Sequence, residues 1–265
     1  APKLFSLNYH KGEMIIEDFG DVSLYEILLK KNNKFNIYKN IIDLLLKIQK
    51  IKNKKKIKSF NNKFYIIKNY SKEILFKESN LFFDWYLPLF LSKKKIFNIK
   101  IKSNKILLKL YNKLNFSDTC FVHRDYHVQN LMKVGKKIAI IDTQDALIGH
   151  RAYDLASLID DVRIKTSTKL KNKIYKYYLK KSKKKKFDLD KFSEDFNILS
   201  VQRSLKIIGI FSRLHLRDKK NHYLKLIPYT WKLLEMRLGN KIFSELKFFF
   251  NTNIPKHFRK KINYK

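Results

Sequence analysis

The chain has 265 residues, 45% of them hydrophobic and 14% aromatic, enough to bury a sizeable core. It carries 59 Lys+Arg against 23 Asp+Glu, a formal net charge of +36. Only eight of those cations are arginine, in a chain crowded with Ile and Asn, so the charge reads as A/T-rich composition spread over solvated faces and no nucleic-acid partner is expected. The single cysteine, Cys120, excludes an intrachain disulfide framework, and the longest apolar stretch, Leu81 to Leu91, is shorter than the roughly 20 residues of a membrane span; no membrane partner and a cytoplasmic setting are expected.

Short apolar runs at Leu4 to Asn8 and Met14 to Asp18, on either side of Lys11-Gly12, predict a β-hairpin. From there to about Asn115 the pattern reads as helical. Asp21 or Ser23 can cap a helix through Leu24, Ile27 and Leu28, while Ile41, Leu44, Leu45 and Ile48 repeat at helical spacing, as do Leu75, Ser79, Phe82, Phe83, Tyr86 and Phe90. The lysine-rich runs Lys52 to Lys58 and Lys180 to Lys186 read as solvated loops. Between Thr119 and Asp142 the pattern shifts to short strands, with Cys120-Phe121-Val122 before a polar loop and Ile138 to Ile141 after the Gly135 turn. Helices resume at Ala152 to Val162, at Phe192 to Leu214 with an Ile198, Val201, Leu205, Ile208, Phe211 stripe, and at Leu224 to Leu238. No internal repeat and no Gly/Pro/Ser linker marks two complete domains.

The chemistry concentrates in Val122-His123-Arg124-Asp125-Tyr126-His127-Val128-Gln129-Asn130, followed by Ile140-Ile141-Asp142. A carboxylate five residues before an amide, then a second carboxylate ending the next apolar strand, suits phosphoryl transfer from a metal nucleotide. Asp125 is the candidate catalytic base, accepting or orienting the proton of an attacking hydroxyl. Asn130 and Asp142 are the candidate metal and nucleotide-phosphate ligands, with oxygen donors that suit Mg²⁺.

The spacing resembles the His-Arg-Asp-x-x-x-x-Asn loop of protein-kinase-like folds. Asp142-Thr143-Gln144-Asp145-Ala146, running through Gly149-His150 into Tyr153-Asp154-Leu155-Ala156, is too short for a protein-kinase activation segment and resembles the aminoglycoside phosphotransferase and choline kinase superfamily. Within it, His123 to Met132, Asp142 to Ala146, Gln202 to Phe211, Arg217-Asp218, Trp231 and Asp84-Trp85-Tyr86-Leu87 look like the anomeric kinases of N-acetylmuramate and N-acetylglucosamine, which serve cell-wall sugar recycling. One departure is Thr143, where such kinases usually carry an aromatic. The resemblance implies an α+β protein-kinase-like fold: residues 1–20 a remnant of the small β lobe and hinge, residues 21–265 a mostly helical large lobe. It implies that Asp154 ties its helix to the catalytic loop, and that Glu17 to Phe19 form the hinge binding the adenine edge of ATP, with Glu17 and Phe19 as nucleotide-binding positions.

His123 reads as a packed loop support and Arg124 as pairing locally with a carboxylate, while His127 fits either a substrate contact or loop filling. Arg203 and Lys206 fit either a substrate carboxylate or helix packing. The six glycines are too scattered for a phosphate-gripping loop, and no room precedes Glu17 for the phosphate-pairing lysine, so residues 1–265 alone are expected to turn over weakly. The expected activity is ATP- and Mg²⁺-dependent phosphorylation of the anomeric hydroxyl of a small acetylated amino sugar. The rivals are kinases of an aminoglycoside, choline or a sugar alcohol, for which Asp145, Asp160 and Asp161 keep an acidic acceptor pocket open, and a basic nucleic-acid-binding module.

Overall fold

Lys11-Gly12 turns the chain between β1 (Leu4–Asn8) and β2 (Glu13–Ile16), an antiparallel ribbon with every strand residue exposed and Gly12 at φ 66°. Ser23 caps α1 (Leu24–Lys30) by accepting the Glu26 amide, and Tyr38, Ile41, Ile42, Leu45 and Leu46 bury one face of α2 (Phe35–Gln49). The computed structural model describes residues 1–51, 56–58, 63–117, 119–182 and 188–260. Within these, the helical reading up to Asn115 is interrupted by an antiparallel pair, β3 (Lys56–Lys58) and β4 (Phe64–Ile66). Residues 56–58 are thus a strand where a loop was expected, with Ile57 between two lysines giving the alternation, while residues 52–55 of that run lie outside the described residues.

Ser71 caps α3 (Lys72–Leu81), which continues into a π-helical turn at Phe82–Tyr86, and α4 (Lys93–Asn112) follows. Four short strands come next: β5 (Thr119–Val122), β6 (Leu131–Val134), β7 (Lys137–Ile140) and β8 (Leu147–His150). The helices α5 (Ala152–Ile159), α6 (Thr168–Ser182), α7 (Leu189–Leu216), α8 (Ile227–Arg237) and α9 (Ser244–Asn253) complete the chain. Helix α6 runs on through Lys180 and Lys181, into the second expected loop, and residues 183–186 of that run lie outside the described residues.

The elements sort into two compact units, Ala1–Asn69 with Thr119–Lys186, and Tyr70–Asp118 with Phe187–Lys265. Residues 1–20 fall within the first of these units. In the first unit β5 pairs antiparallel with β8 and β6 with β7, and α2 packs on α6. Tyr178 seals that helix pair by donating to Gln49 Oε1 at 2.7 Å, while Gln49 Nε2 donates to the Arg151 carbonyl at 2.9 Å. In the second unit α7 is buried along most of its length against α3, the π-helical turn and α8. Gly209 makes this approach possible, because a Cβ there would lie 2.3 Å from the Leu81 carbonyl carbon.

Candidate active site

The catalytic stretch leaves β5 at Val122 and returns through a single turn at Val128–Asn130 into β6. In the β6–β7 ladder Leu131 lies opposite Ile140, and the Ile141 amide extends the ladder by donating to the Asn130 carbonyl at 3.1 Å. That register places Asn130 beside Asp142 although twelve residues separate them. The Asn130 side-chain amide donates to the Asp125 carbonyl at 3.0 Å and to Asp142 Oδ2 at 3.4 Å. Three of the sequence-predicted site residues therefore meet in one place. Gln144, to which the sequence reading gave no role, donates to the other Asp142 oxygen, Oδ1.

Two backbone positions flank this arrangement in a conformation that L-residues avoid, Arg124 at φ 74° and Asp142 at φ 66°. Asp154 holds the first of them. Its carboxylate, 1% exposed in the first turn of α5, accepts the His123 amide at 2.8 Å and the Arg124 amide at 3.0 Å. Burial raises the Asp154 pKa to about 6, against the lowering pull of His123 and of the two amides. The structural role implied for Asp154 thus has a specific form: one carboxylate accepts two consecutive amides at the strained residue.

His123 is a strut. Its Nε2 lies 2.9 Å from the Ile141 carbonyl, which fixes a proton there and leaves Nδ1 to accept the Asp125 amide at 3.3 Å. This pair of bonds links the loop to the end of β7 just before Asp142. Tyr126, fully buried, donates to the Ile41 carbonyl of α2 at 2.8 Å, and burial, aided by the Asp154 charge, pushes its phenol well above its ordinary pKa. Arg124 reaches the Asp145 carbonyl at 3.1 Å. His150 accepts the Ala152 amide on Nδ1 at 3.1 Å and so caps the start of α5.

The expected hinge follows β2 directly. The Glu17 amide donates to the Lys3 carbonyl at 2.8 Å and the Gly20 amide to Asp18 Oδ1 at 2.7 Å, with Phe19 half-buried between them. Beyond it the chain runs alongside β6, where Lys133 donates to the Val22 carbonyl at 2.9 Å and Ser23 bridges Met132. Glu17 and Phe19 thus belong to the same unit as Asp125, Asn130 and Asp142, without a direct bond to any of them. Thr143 joins Ile48, Ile67, Phe121, His123 and Ile140 in lining an apolar cavity of about 420 Å³, space that a larger side chain at 143 would occupy.

An acidic acceptor pocket at Asp160 and Asp161 is not what forms. Asp160 is buried against Lys171 Nζ at 3.3 Å and Asp161 against Arg163 at 3.4 Å, so both are committed to internal partners. Lys206, in the second unit, is buried and paired with Glu78 at 3.1 Å, which settles it as a packing residue of α7; Arg203 is buried on the same helix.

A cation at this site would meet the Asp142 carboxylate, which is exposed, and the Asn130 amide oxygen. These are hard oxygen donors on an open face, a set that suits Mg²⁺ sharing its remaining positions with phosphate and water. No group of three or more His, Cys, Asp or Glu side chains is gathered for a metal among the described residues. Nor is any described helix long and apolar enough to cross a membrane.

Residues 91–192, which include Asp125, Asn130 and Asp142, match the family described as the phosphotransferase enzyme family. The fold is shared with a choline/ethanolamine kinase family protein of Mesorhizobium loti, at TM-score 0.62 and 10% identity over 95% of this chain and 78% of the other. An ADP-bound aminoglycoside phosphotransferase, APH(2'')-Ib, superposes at TM-score 0.56 and 14% identity over 91% and 76% of the two chains. This is a protein-kinase-like phosphotransferase fold. The similarity to the phosphotransferase enzyme family is confined to residues 91–192, and the likeness to the choline kinase and aminoglycoside phosphotransferase structures is one of fold. Among its relatives by sequence are the N-acetylmuramate/N-acetylglucosamine kinases of Caulobacter vibrioides, 26% identical over 96% of this chain and 70% of the relative, and of Pseudomonas aeruginosa, 27% identical over 91% and 69%.

Proposed function

We propose that the chain carries the catalytic machinery of an ATP-dependent small-molecule kinase whose acceptor is the anomeric hydroxyl of N-acetylmuramate or N-acetylglucosamine. The observation that carries this reading is the Asn130 amide, bonded at once to the Asp125 carbonyl and the Asp142 carboxylate, which joins the candidate base to the candidate metal ligands. The kinase names of relatives aligned along nearly the whole chain support the acceptor.

The acceptor oxygen attacks the γ-phosphorus of ATP, the bond from that phosphorus to the bridging oxygen breaks, and ADP leaves with the electron pair. Asp125 takes the acceptor proton on its carboxylate. Asn130 and Asp142 are the residues that would hold Mg²⁺, which when bound would neutralise phosphate charge. The backbone of Glu17 to Phe19 receives the adenine edge. His123 and Asp154 touch neither substrate; they keep the Asp125 backbone where its carboxylate faces the acceptor.

The test is ADP release with Mg-ATP, offering N-acetylmuramate, N-acetylglucosamine, kanamycin and choline in parallel. Turnover on the two acetylated sugars is expected, with a loss of about 10²–10⁴-fold in Asp125→Asn. Turnover on kanamycin or choline in place of the sugars overturns the acceptor assignment, and an unchanged rate in Asp125→Asn overturns the assignment of the base.

A further inference from the structure

We propose that Asp161 is a positioning residue for Asn130, clamping the far end of the catalytic loop as Asp154 clamps the near end. The functional half of this proposal rests on the phosphotransferase reading above. All eight residues of α5 are buried, so the carboxylates at its two ends have no route to bulk water and need partners inside the unit. At the start Asp154 takes the His123 and Arg124 amides. Just past the end Asp161, 2% exposed, takes the Val128 amide on Oδ2 at 3.2 Å.

Val128 opens the short turn Val128–Asn130, and the amide of a first helical residue has no partner within its own turn. Asp161 supplies that partner from 33 residues away. Its other oxygen, Oδ1, accepts the Arg163 backbone amide at 3.0 Å, which fixes the carboxylate in place whatever the side chain at 163, and faces the Arg163 guanidinium at 3.4 Å. The turn is so short that Val128 and Asn130 are separated only by the exposed Gln129, and the Asn130 amide closes it on the His127 carbonyl at 3.0 Å. A shift of Val128 is therefore passed to Asn130 and to its 3.4 Å bond with Asp142. A carboxylate at each end of one rigid helix thus sets the distance across the loop between the base and the metal-binding amide.

A purely structural role would have Asp161 serve only the chain that leaves α5, through Arg163. Amide hydrogen exchange separates the two. In Asp161→Ala the peptide spanning 126–131 is expected to exchange about tenfold faster or more, the effect of losing a hydrogen bond to a charged acceptor. Asp161→Asn, which keeps one oxygen acceptor, is expected to fall between this and wild type, and carries the test should Asp161→Ala fail to fold. Arg163→Ala is expected to speed 159–168 and leave 126–131 close to wild type. In parallel, the affinity for Mn²⁺ with ADP, read by calorimetric titration, is expected to weaken in Asp161→Ala in the same direction as in Asn130→Ala. Wild-type exchange at 126–131 in both Asp161 variants overturns the proposal, as does an equal acceleration there in Arg163→Ala. A wild-type chain that does not bind Mn²⁺ with ADP overturns the phosphotransferase reading and the functional half of the proposal with it, while exchange still decides the structural half.

Discussion

Each of the two units contains a buried carboxylate at the heart of a polar network, and the two are built from different partners. In the second unit Glu78 holds side chains: Lys206 at 3.1 Å on Oε1, and Gln202 at 2.9 Å together with the Tyr70 hydroxyl on Oε2. In the first unit Asp154 holds backbone, the His123 and Arg124 amides. The difference decides what evolution or mutagenesis can replace. A side-chain network can be exchanged as a set for apolar residues of similar volume, whereas no substitution at 123 or 124 short of proline removes an amide. The Glu78 network ties helix to helix, and the Asp154 network ties a strained loop to a helix.

The largest effect is expected at Asp154. Asp154→Ala strands two buried amides at roughly 1–3 kcal/mol each, so urea unfolding should show a loss of about 2–6 kcal/mol, together with loss of turnover as Arg124 leaves its positive φ. Glu78→Ala leaves the buried Lys206 ammonium uncompensated and should cost about 3–5 kcal/mol in the same assay. The complementary experiment replaces the whole set, Glu78→Leu with Lys206→Met, Gln202→Leu and Tyr70→Phe, expected within about 1 kcal/mol of wild type. No second substitution on the partner side should rescue Asp154→Ala in this way.

The pH dependence is smaller and carries a sign. With the Asp154 pKa raised by burial to about 6 from 3.8, the folded chain binds this proton more tightly than the unfolded one. Between those values the group's own contribution to stability therefore grows as pH falls, and is least above about 6. Protonation nonetheless turns one accepting oxygen into a hydroxyl, so one loop amide loses its acceptor and turnover should fall roughly tenfold per pH unit below about 6. A rate profile alongside an unfolding profile checks this, with activity lost on the acid side while the Asp154 contribution to stability is not. The smallest effect is at Tyr126→Phe, where losing the bond to the Ile41 carbonyl should cost about 1 kcal/mol and leave the metal-binding residues in place, as measured by urea unfolding and Mn²⁺ titration.

The sequence made Asp125, Asn130 and Asp142 legible because their spacing is local: one turn and one two-stranded ladder bring them together, and strand period and the Gly135 turn are written within twelve residues. The β1–β2 ribbon was legible for the same reason, through Lys11-Gly12. Strands β3 and β6 were not, the first because Lys56-Ile57-Lys58 sits inside a lysine run whose charge masks the alternation, the second because a four-residue strand directly after the Asn130 turn has no flank of its own. The partner of Asp161 lies 33 residues upstream, beyond any local pattern. The helix before Asp160-Asp161 is mostly apolar, and its burial is what commits both aspartates to internal partners. Lys206 is the converse case, since nothing local marks Glu78 as its partner.

The most direct measurement is phosphorus NMR of N-acetylmuramate incubated with the protein and Mg-ATP. A sugar phosphate whose phosphorus couples to the anomeric proton is expected, formed together with ADP and missing with Asp125→Asn. Phosphate on any other hydroxyl, or the same product at the same rate from Asp125→Asn, would contradict that expectation.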